Sequence, residues 1–266
     1  MQRLSDKVII VTGSCTGIGK AIARRAVAEG ARVVIHGLHA DLGAALVEEL
    51  GADRTTVRIE DLTLEGSPER LVAQAVERFG QLDAIVNNAA LIAPGNLQST
   101  DATRFQEFWA INTLAPYLLI RAALPWLQQC RGNVLNIGSV NAYCGEPDLL
   151  PYSVSKGALM TMTRNLGDTL FRENGVRVNQ INPGWVLTEA EAQRKRDLGL
   201  REDWYADLPA VYAPSRRLIR PEEIAAAAVY WLSDECGPIS GQVVDLEQHP
   251  FIGRNPPKDT TTLPAR

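Results

Sequence analysis

Short apolar runs rich in β-branched residues alternate along the chain with longer stretches whose apolar positions recur every three or four residues. The runs at 8–12, 33–36, 56–59, 84–87, 133–137, 176–181 and 243–246 predict strands. The stretches at 18–29, 41–50, 68–79, 103–128, 152–172 and 221–233 predict the helices between them. Most strand runs are apolar at nearly every position, as a sheet covered on both faces requires. Such regular alternation implies an α/β fold: a doubly wound parallel sheet of about seven strands with helices on both faces. Gly30, Gly51 and Gly175 stand where three of the helices should stop.

Two stretches break the alternation. The segment 186–219 is a long insertion carrying Trp204, Tyr205 and Tyr212, and a loop of that length in a compact domain predicts a lid over a binding site. The segment 249–266 is polar and holds Pro250, Pro256, Pro257 and Pro264, which predicts an irregular tail. No repeat, low-complexity block or linker divides the rest, so residues 1–248 are expected to form one domain.

Composition narrows the function. Of 266 residues, 45% are hydrophobic and 22% charged, and the net charge of −4 offers no basic field for nucleic acid or an anionic membrane. No apolar run reaches the roughly 18 residues of a membrane span, and the polar start at residues 1–7 predicts no secretory leader. Cys15, Cys130, Cys144 and Cys236 are scattered with no metal-ligand spacing, so no metal site is expected and reduced thiols in a cytoplasmic protein are.

Chemistry enters at two places. The first strand runs into Thr12-Gly13-Ser14-Cys15-Thr16-Gly17-Ile18-Gly19 and then a helix. Glycines there let the backbone turn tightly and approach a pyrophosphate, while the helix start offers free N–H groups and a positive dipole end. Further on, Tyr152 and Lys156 lie four residues apart at the start of a helical stretch with Leu159, Met162, Leu166 and Leu170 on one stripe. That spacing puts phenol and ammonium on one face. A cation about 4 Å away contributes roughly 4 kcal/mol at an effective dielectric of about 20, enough to bring a phenol from its ordinary value of about 10 towards neutrality. An inert tyrosine would become a proton donor and acceptor.

Taken in order, these marks and several others resemble the short-chain dehydrogenase/reductase family, in its compact single-domain branch with a Rossmann-type sheet. The glycine-rich turn has its T-G-x-x-x-G-x-G spacing, Asp61-Leu62 follows the third strand, and Asn87-Asn88-Ala89-Ala90 is similar to N-N-A-G with an alanine last. Asn112, Ser139, Tyr152 and Lys156 match the catalytic set, and Pro183-Gly184-Trp185-Val186-Leu187-Thr188 matches P-G-x-x-x-T. The resemblance spans residues 3–247 and implies hydride transfer between a nicotinamide cofactor and a secondary alcohol or ketone. Tyr152 would exchange the proton, Lys156 would lower the tyrosine pKa and hold the nicotinamide ribose, Ser139 would hold the substrate oxygen, and Asn112 would position a water beside Lys156. The cofactor would lie against Gly13, Ser14, Thr16, Gly17, Ile18, Gly19, Gly37, Leu38, Asp61, Leu62, Asn88, Ala89, Tyr152, Lys156, Pro183, Gly184, Val186 and Thr188.

The resemblance also bears on specificity. An acid at Gly37 would select NAD, and an Arg at Leu38 or a basic residue at Thr16 would select NADP; none is present, so the expectation leans to NAD with NADP open. Ser139, Asn141, Tyr152 and Trp185 would meet the substrate, with Tyr143, Cys144 and Glu146 beside them. Polar and aromatic groups there favour a hydroxylated molecule such as a sugar, sugar acid or polyol. Arg194, Lys195, Arg196 and Arg201 could hold an anionic substrate group or form a solvated face. The alternatives are a reductase of carrier-bound 3-oxoacyl chains and a non-catalytic nucleotide-binding scaffold. The family's assembly habit, with the surplus of apolar positions in 103–128, predicts a homotetramer.

Overall fold

Val8, Ile9, Ile10 and Val11 are all fully buried, yet their side chains enter two different cores. Ile9 and Val11 join one apolar cluster, Val8 and Ile10 the other. Alternation across a pleated strand with a helix layer on each side produces this result. The computed structural model describes residues 2–250 and Ile252; Phe251, Pro256, Pro257 and Pro264 of the expected tail lie outside the described residues.

The strands are β1 (Val8–Val11), β2 (Arg32–Gly37), β3 (Thr55–Ile59), β4 (Ala84–Asn87), β5 (Asn133–Ile137), β6 (Arg177–Pro183) and β7 (Val243–Leu246). They form one seven-stranded sheet in the order β3-β2-β1-β4-β5-β6-β7, every pair parallel. Helices α1 (Gly17–Ala28), α2 (Ala40–Leu50) and α8 (Pro221–Leu232) contribute Ile22, Leu46 and Ile224 to the core on one face. Helices α3 (Ser67–Phe79), α5 (Ala115–Cys130) and α6 (Leu150–Asn174) contribute Leu71, Leu119 and Leu170 to the other. The winding direction reverses between β1 and β4, so the crevice at their carboxyl ends is where such sheets bind ligands.

Two elements differ from the sequence expectation. The stretch expected as one helix over 103–128 is α4 (Ala102–Trp109), a π-helical turn at Ala110–Leu114, and α5. Pro116 explains the interruption: it has no N–H to give the carbonyl of Asn112, its ordinary partner four residues back. The insertion 186–219 holds a further helix, α7 (Glu189–Asp197), capped by Thr188, whose hydroxyl accepts the Glu191 N–H at 3.1 Å. Its two stems are tied by a parallel bridge between Val186 and Ile219. Among the described residues, no helix is long and apolar enough to cross a membrane.

Candidate active site

Tyr152 sits in the first turn of α6, packed with Phe108 and Leu149, and Lys156 one turn later; both are buried. The Lys156 ammonium donates to the Ile137 carbonyl at 2.8 Å and lies 5.8 Å from the centre of the Tyr152 ring. Ser139 follows β5; its hydroxyl accepts the Asn141 N–H at 3.1 Å and lies close enough to the Tyr152 phenol to favour its ionised form. A serine that caps a turn is also the neighbour of the phenol. Asn112 occupies the π-helical turn, fully buried. Its Oδ1 accepts the Leu91 N–H at 2.8 Å, and its Nδ2 donates to the Leu91 carbonyl at 3.0 Å and to Ser155 Oγ at 2.9 Å. The side chain therefore braces α6 beside Lys156, and Pro116 leaves its main-chain carbonyl without the usual helical donor. Pro116, four residues after Asn112, was the signal in the sequence for this bend.

Burial dominates the electrostatics. It pushes the Tyr152 phenol up to about 12, with the Ser139 hydroxyl opposing and the Glu146 carboxylate adding to the rise. It pushes the Lys156 ammonium down to about 7. The expected lowering of the tyrosine by its lysine is thus not met in the chain alone. The ammonium lies over the ring and is bonded to a main-chain carbonyl, while both groups lose water.

The glycine-rich turn is braced from three sides. Thr12 Oγ1 accepts the N–H groups of Asn88 and Ala89 at 2.9 and 3.0 Å, and Asn88 Nδ2 donates to the Thr12 and Gly13 carbonyls. His36, buried at the end of β2, accepts the Gly13 N–H on Nδ1 at 3.3 Å, and its Nε2 lies 2.9 Å from the Glu60 carbonyl. Burial pushes this imidazole down, keeping it neutral in that role. Gly13 and Gly17 have φ of 61° and 54°, which side chains resist. No side chain caps the start of α1 and no acid stands in its first turn, so its N–H groups remain available to an anion. A Cβ on Gly17 would come within 3.3 Å of Thr188, so the P-G-x-x-x-T segment closes the same cradle. A nicotinamide dinucleotide fits this cradle. The α1 N-terminus would hold its pyrophosphate and Lys156 its nicotinamide ribose, and it would supply or accept the hydride.

Other expected cofactor residues are placed differently. Ser14 is fully buried, donating its hydroxyl to the Val11 carbonyl, accepting the His36 N–H and giving its own N–H to the His36 carbonyl at 2.8 Å, so it braces the turn from within. Leu62 packs into the core beneath β1, and Pro183 ends β6 opposite Leu246 of β7. Ile18 packs against the core on the α1 side, and Val186 is buried in it. Asp61 is exposed, and its Oδ1 accepts the Thr63 N–H and hydroxyl at 2.8 Å. Leu38 is 64% exposed. At Gly37 an added Cβ would lie 2.5 Å from the Cys15 sulfur, so the thiol fills the space of an acidic side chain at the end of β2. Gly184 is similarly hemmed in: its Cβ would overlap the Glu247 carboxylate, which accepts the Trp185 N–H at 3.1 Å.

Of the residues expected to meet the substrate, Asn141 is buried in the turn after Ser139, and the hydroxyl of nearby Tyr143 donates to Asp245 at 3.0 Å. Two of the three rings of the expected lid are packed within the insertion itself. Trp185 and Trp204 stack at 5.5 Å, Tyr205 meets Trp204 edge-on, and Leu208, Ala213 and Leu218 form a small core beneath them. Tyr212 is exposed. The cationic run is also engaged locally: Arg194 with Glu191, Arg196 with Glu202, Arg201 with Asp203, and Lys195 over the Trp185 ring at 5.1 Å.

Comparison with known proteins shows the family. Residues 13–247 match the family model described as enoyl-(acyl carrier protein) reductase. The chain is 38% identical over 242 residues to L-fucose dehydrogenase of Mus musculus, covering 88% of this chain and 85% of the relative. It is 33% identical over 249 residues to momilactone A synthase of Oryza sativa subsp. japonica, covering 91% and 88%. It is 32% identical over 251 residues to 2-(S)-hydroxypropyl-CoM dehydrogenase 3 of Xanthobacter autotrophicus, covering 90% and 94%. With the parallel sheet, the glycine cradle and the Ser139–Tyr152–Lys156 cluster, these matches place the chain in the short-chain dehydrogenase/reductase family of nicotinamide-dependent oxidoreductases.

Proposed function

We propose that this protein is an NAD-linked dehydrogenase of a sugar or polyol, oxidising one carbinol of a small hydroxylated substrate. The observation that carries the reading is the buried Ser139–Tyr152–Lys156 cluster at the open ends of β5 and α6. A scaffold that only bound nucleotide would gain nothing from a phenol and an ammonium stripped of water. Ser139 donates to or accepts from the substrate oxygen beside the phenol, Tyr152 carries the proton at that oxygen, and Lys156 holds the ribose and the relay behind it. Asn112 keeps α6 in register with the π-helical turn, so that a water at its carbonyl reaches Lys156.

Sugar chemistry is supported by the L-fucose dehydrogenases among the relatives. NAD is favoured over NADP because Thr16, Gly37 and Leu38 include no cation to reward a 2′-phosphate. The net charge of −4 gives a carrier-bound acyl chain no basic docking field, which disfavours the carrier-reductase reading. A cytoplasmic homotetramer completes the proposal, assembled through the apolar face of α4 to α6. The test is turnover by the purified protein of L-fucose and a panel of aldoses, sugar acids and polyols, each with NAD and with NADP, followed by nicotinamide absorbance. Oxidation of a sugar with NAD preferred supports the reading. Turnover confined to acyl thioesters with NADPH would overturn it.

A further inference from the structure

Behind Ser139 runs a buried polar chain that the family marks do not explain. Gln180 and Asn182, both fully buried on β6, are linked by a Gln180 Nε2 to Asn182 Oδ1 bond of 2.7 Å. That same Oδ1 accepts the Ser139 backbone N–H at 3.1 Å. Asn182 Nδ2 then donates to Asp245 Oδ1 on the edge strand β7 at 3.0 Å, and the Tyr143 hydroxyl donates to that same oxygen at 3.0 Å. The packing is tight: a Cβ on Gly138 would lie 2.1 Å from Asn182 Oδ1. Burial and the Asp245 bond push the Tyr143 hydroxyl up, so it stays a donor.

The direction of these bonds is the informative part. An amide has a donor end and an acceptor end, and nothing in its shape decides which faces Ser139. Asp245 Oδ1 accepts here, so it takes the NH₂ end of Asn182 and turns the carbonyl end towards the Ser139 N–H and Gln180. Through Tyr143, the same oxygen holds the turn leading from Ser139 to Gly145 and Glu146, the substrate side of the site.

We propose that Asp245 is a positioning residue that sets the Ser139 backbone through Asn182 and the substrate-side turn through Tyr143. The proposal rests on the reading of Ser139 as the ligand of the substrate oxygen. Because both bonds land on one oxygen, an asparagine at 245 can accept both with its carbonyl, whereas leucine accepts neither.

Hydrogen exchange tests this without a substrate. In Asp245→Leu, amides in a peptide spanning 138–144 should exchange about tenfold faster, while strands β1 and β4 keep wild-type protection. Asp245→Asn should restore protection, and Tyr143→Phe should speed exchange beyond 140 without exposing the Ser139 amide. With L-fucose and NAD as probes, the leucine variant should lose about tenfold in kcat and keep its affinity for NADH, and the asparagine variant should recover most of the loss. If the leucine variant does not fold, Asp245→Ala takes its place in both measurements. Unchanged exchange at 138–144 in a folded Leu or Ala variant would overturn the proposal, as would an Asn variant as damaged as the Leu one. Failure of the wild type to oxidise L-fucose would count against the sugar reading alone, since the exchange arm still decides the role of Asp245.

Discussion

At Lys156 one side chain carries both the proposed chemistry and a stability cost. Its folded value near 7 lies well below the value of about 10.4 of a free lysine. Between those two values the unfolded chain binds a proton that the folded chain does not, so stability rises with pH across that window and is flat in this term below it. Tyr152 acts oppositely and later: its folded value near 12 means the unfolded chain releases the proton first, and stability falls above about pH 10. The cofactor-free protein should therefore melt at a higher temperature at pH 9 than at pH 7 as far as this term is concerned, by a margin that disappears in Lys156→Met. Calorimetry of the two proteins across that range checks it. An identical pH slope in both would mean that Lys156 keeps its proton when buried. Neither perturbation was legible in the sequence, where spacing gave the shared helix face but not the loss of water around both groups.

Between elements, the contact of the glycine-rich turn with the end of β2 decides what can be engineered. Gly37→Asp looks in the sequence like a one-step addition of a ribose ligand, but the Cys15 sulfur already occupies the space. The single variant should lose about 1–3 kcal/mol from overpacking and bind either cofactor poorly. Paired with Cys15→Gly, the aspartate has room and should shift kcat/KM further towards NAD. An unchanged NAD-to-NADP ratio in a stable double variant would show that Gly37 does not face the adenosine ribose. This scale also shows what the sequence could convey. The succession of strands and helices along the chain, the two-faced sheet and the shared helix face of Tyr152 and Lys156 follow from local periodicity and spacing, while Ser139 was found by its resemblance to the family's motif. The Cys15–Gly37 contact and the Asn182–Asp245 bond join residues 22 and 63 apart in sequence. They depend on strand order, which no local pattern encodes. The π-helical turn lies between: Pro116 was visible, but its effect on Asn112 needed the helix register.

For the whole molecule, the face of α4 to α6 is the feature left over by a monomer. Phe105, Trp109, Leu114 and Tyr117 stay exposed, with Trp109 at 46%, and Val154 of α6 is exposed as well. Phe108 and Trp126, from the same apolar stretch, pack against the core instead. Rings arranged so suit a self-complementary contact between two copies. Trp109→Glu combined with Tyr117→Lys should lower the assembly state seen by light scattering by at least a factor of about two while the fold persists. A wild-type mass near the 29.0 kDa of one chain would refute assembly altogether. The account as a whole depends on the phenol. Tyr152→Phe keeps the ring and its packing and removes only the oxygen that moves the proton. The decisive measurement is turnover of the best sugar with NAD beside NADH affinity by fluorescence. The account predicts a fall in kcat of about 10²-fold or more with affinity little changed, and a variant that kept most of its turnover would contradict it.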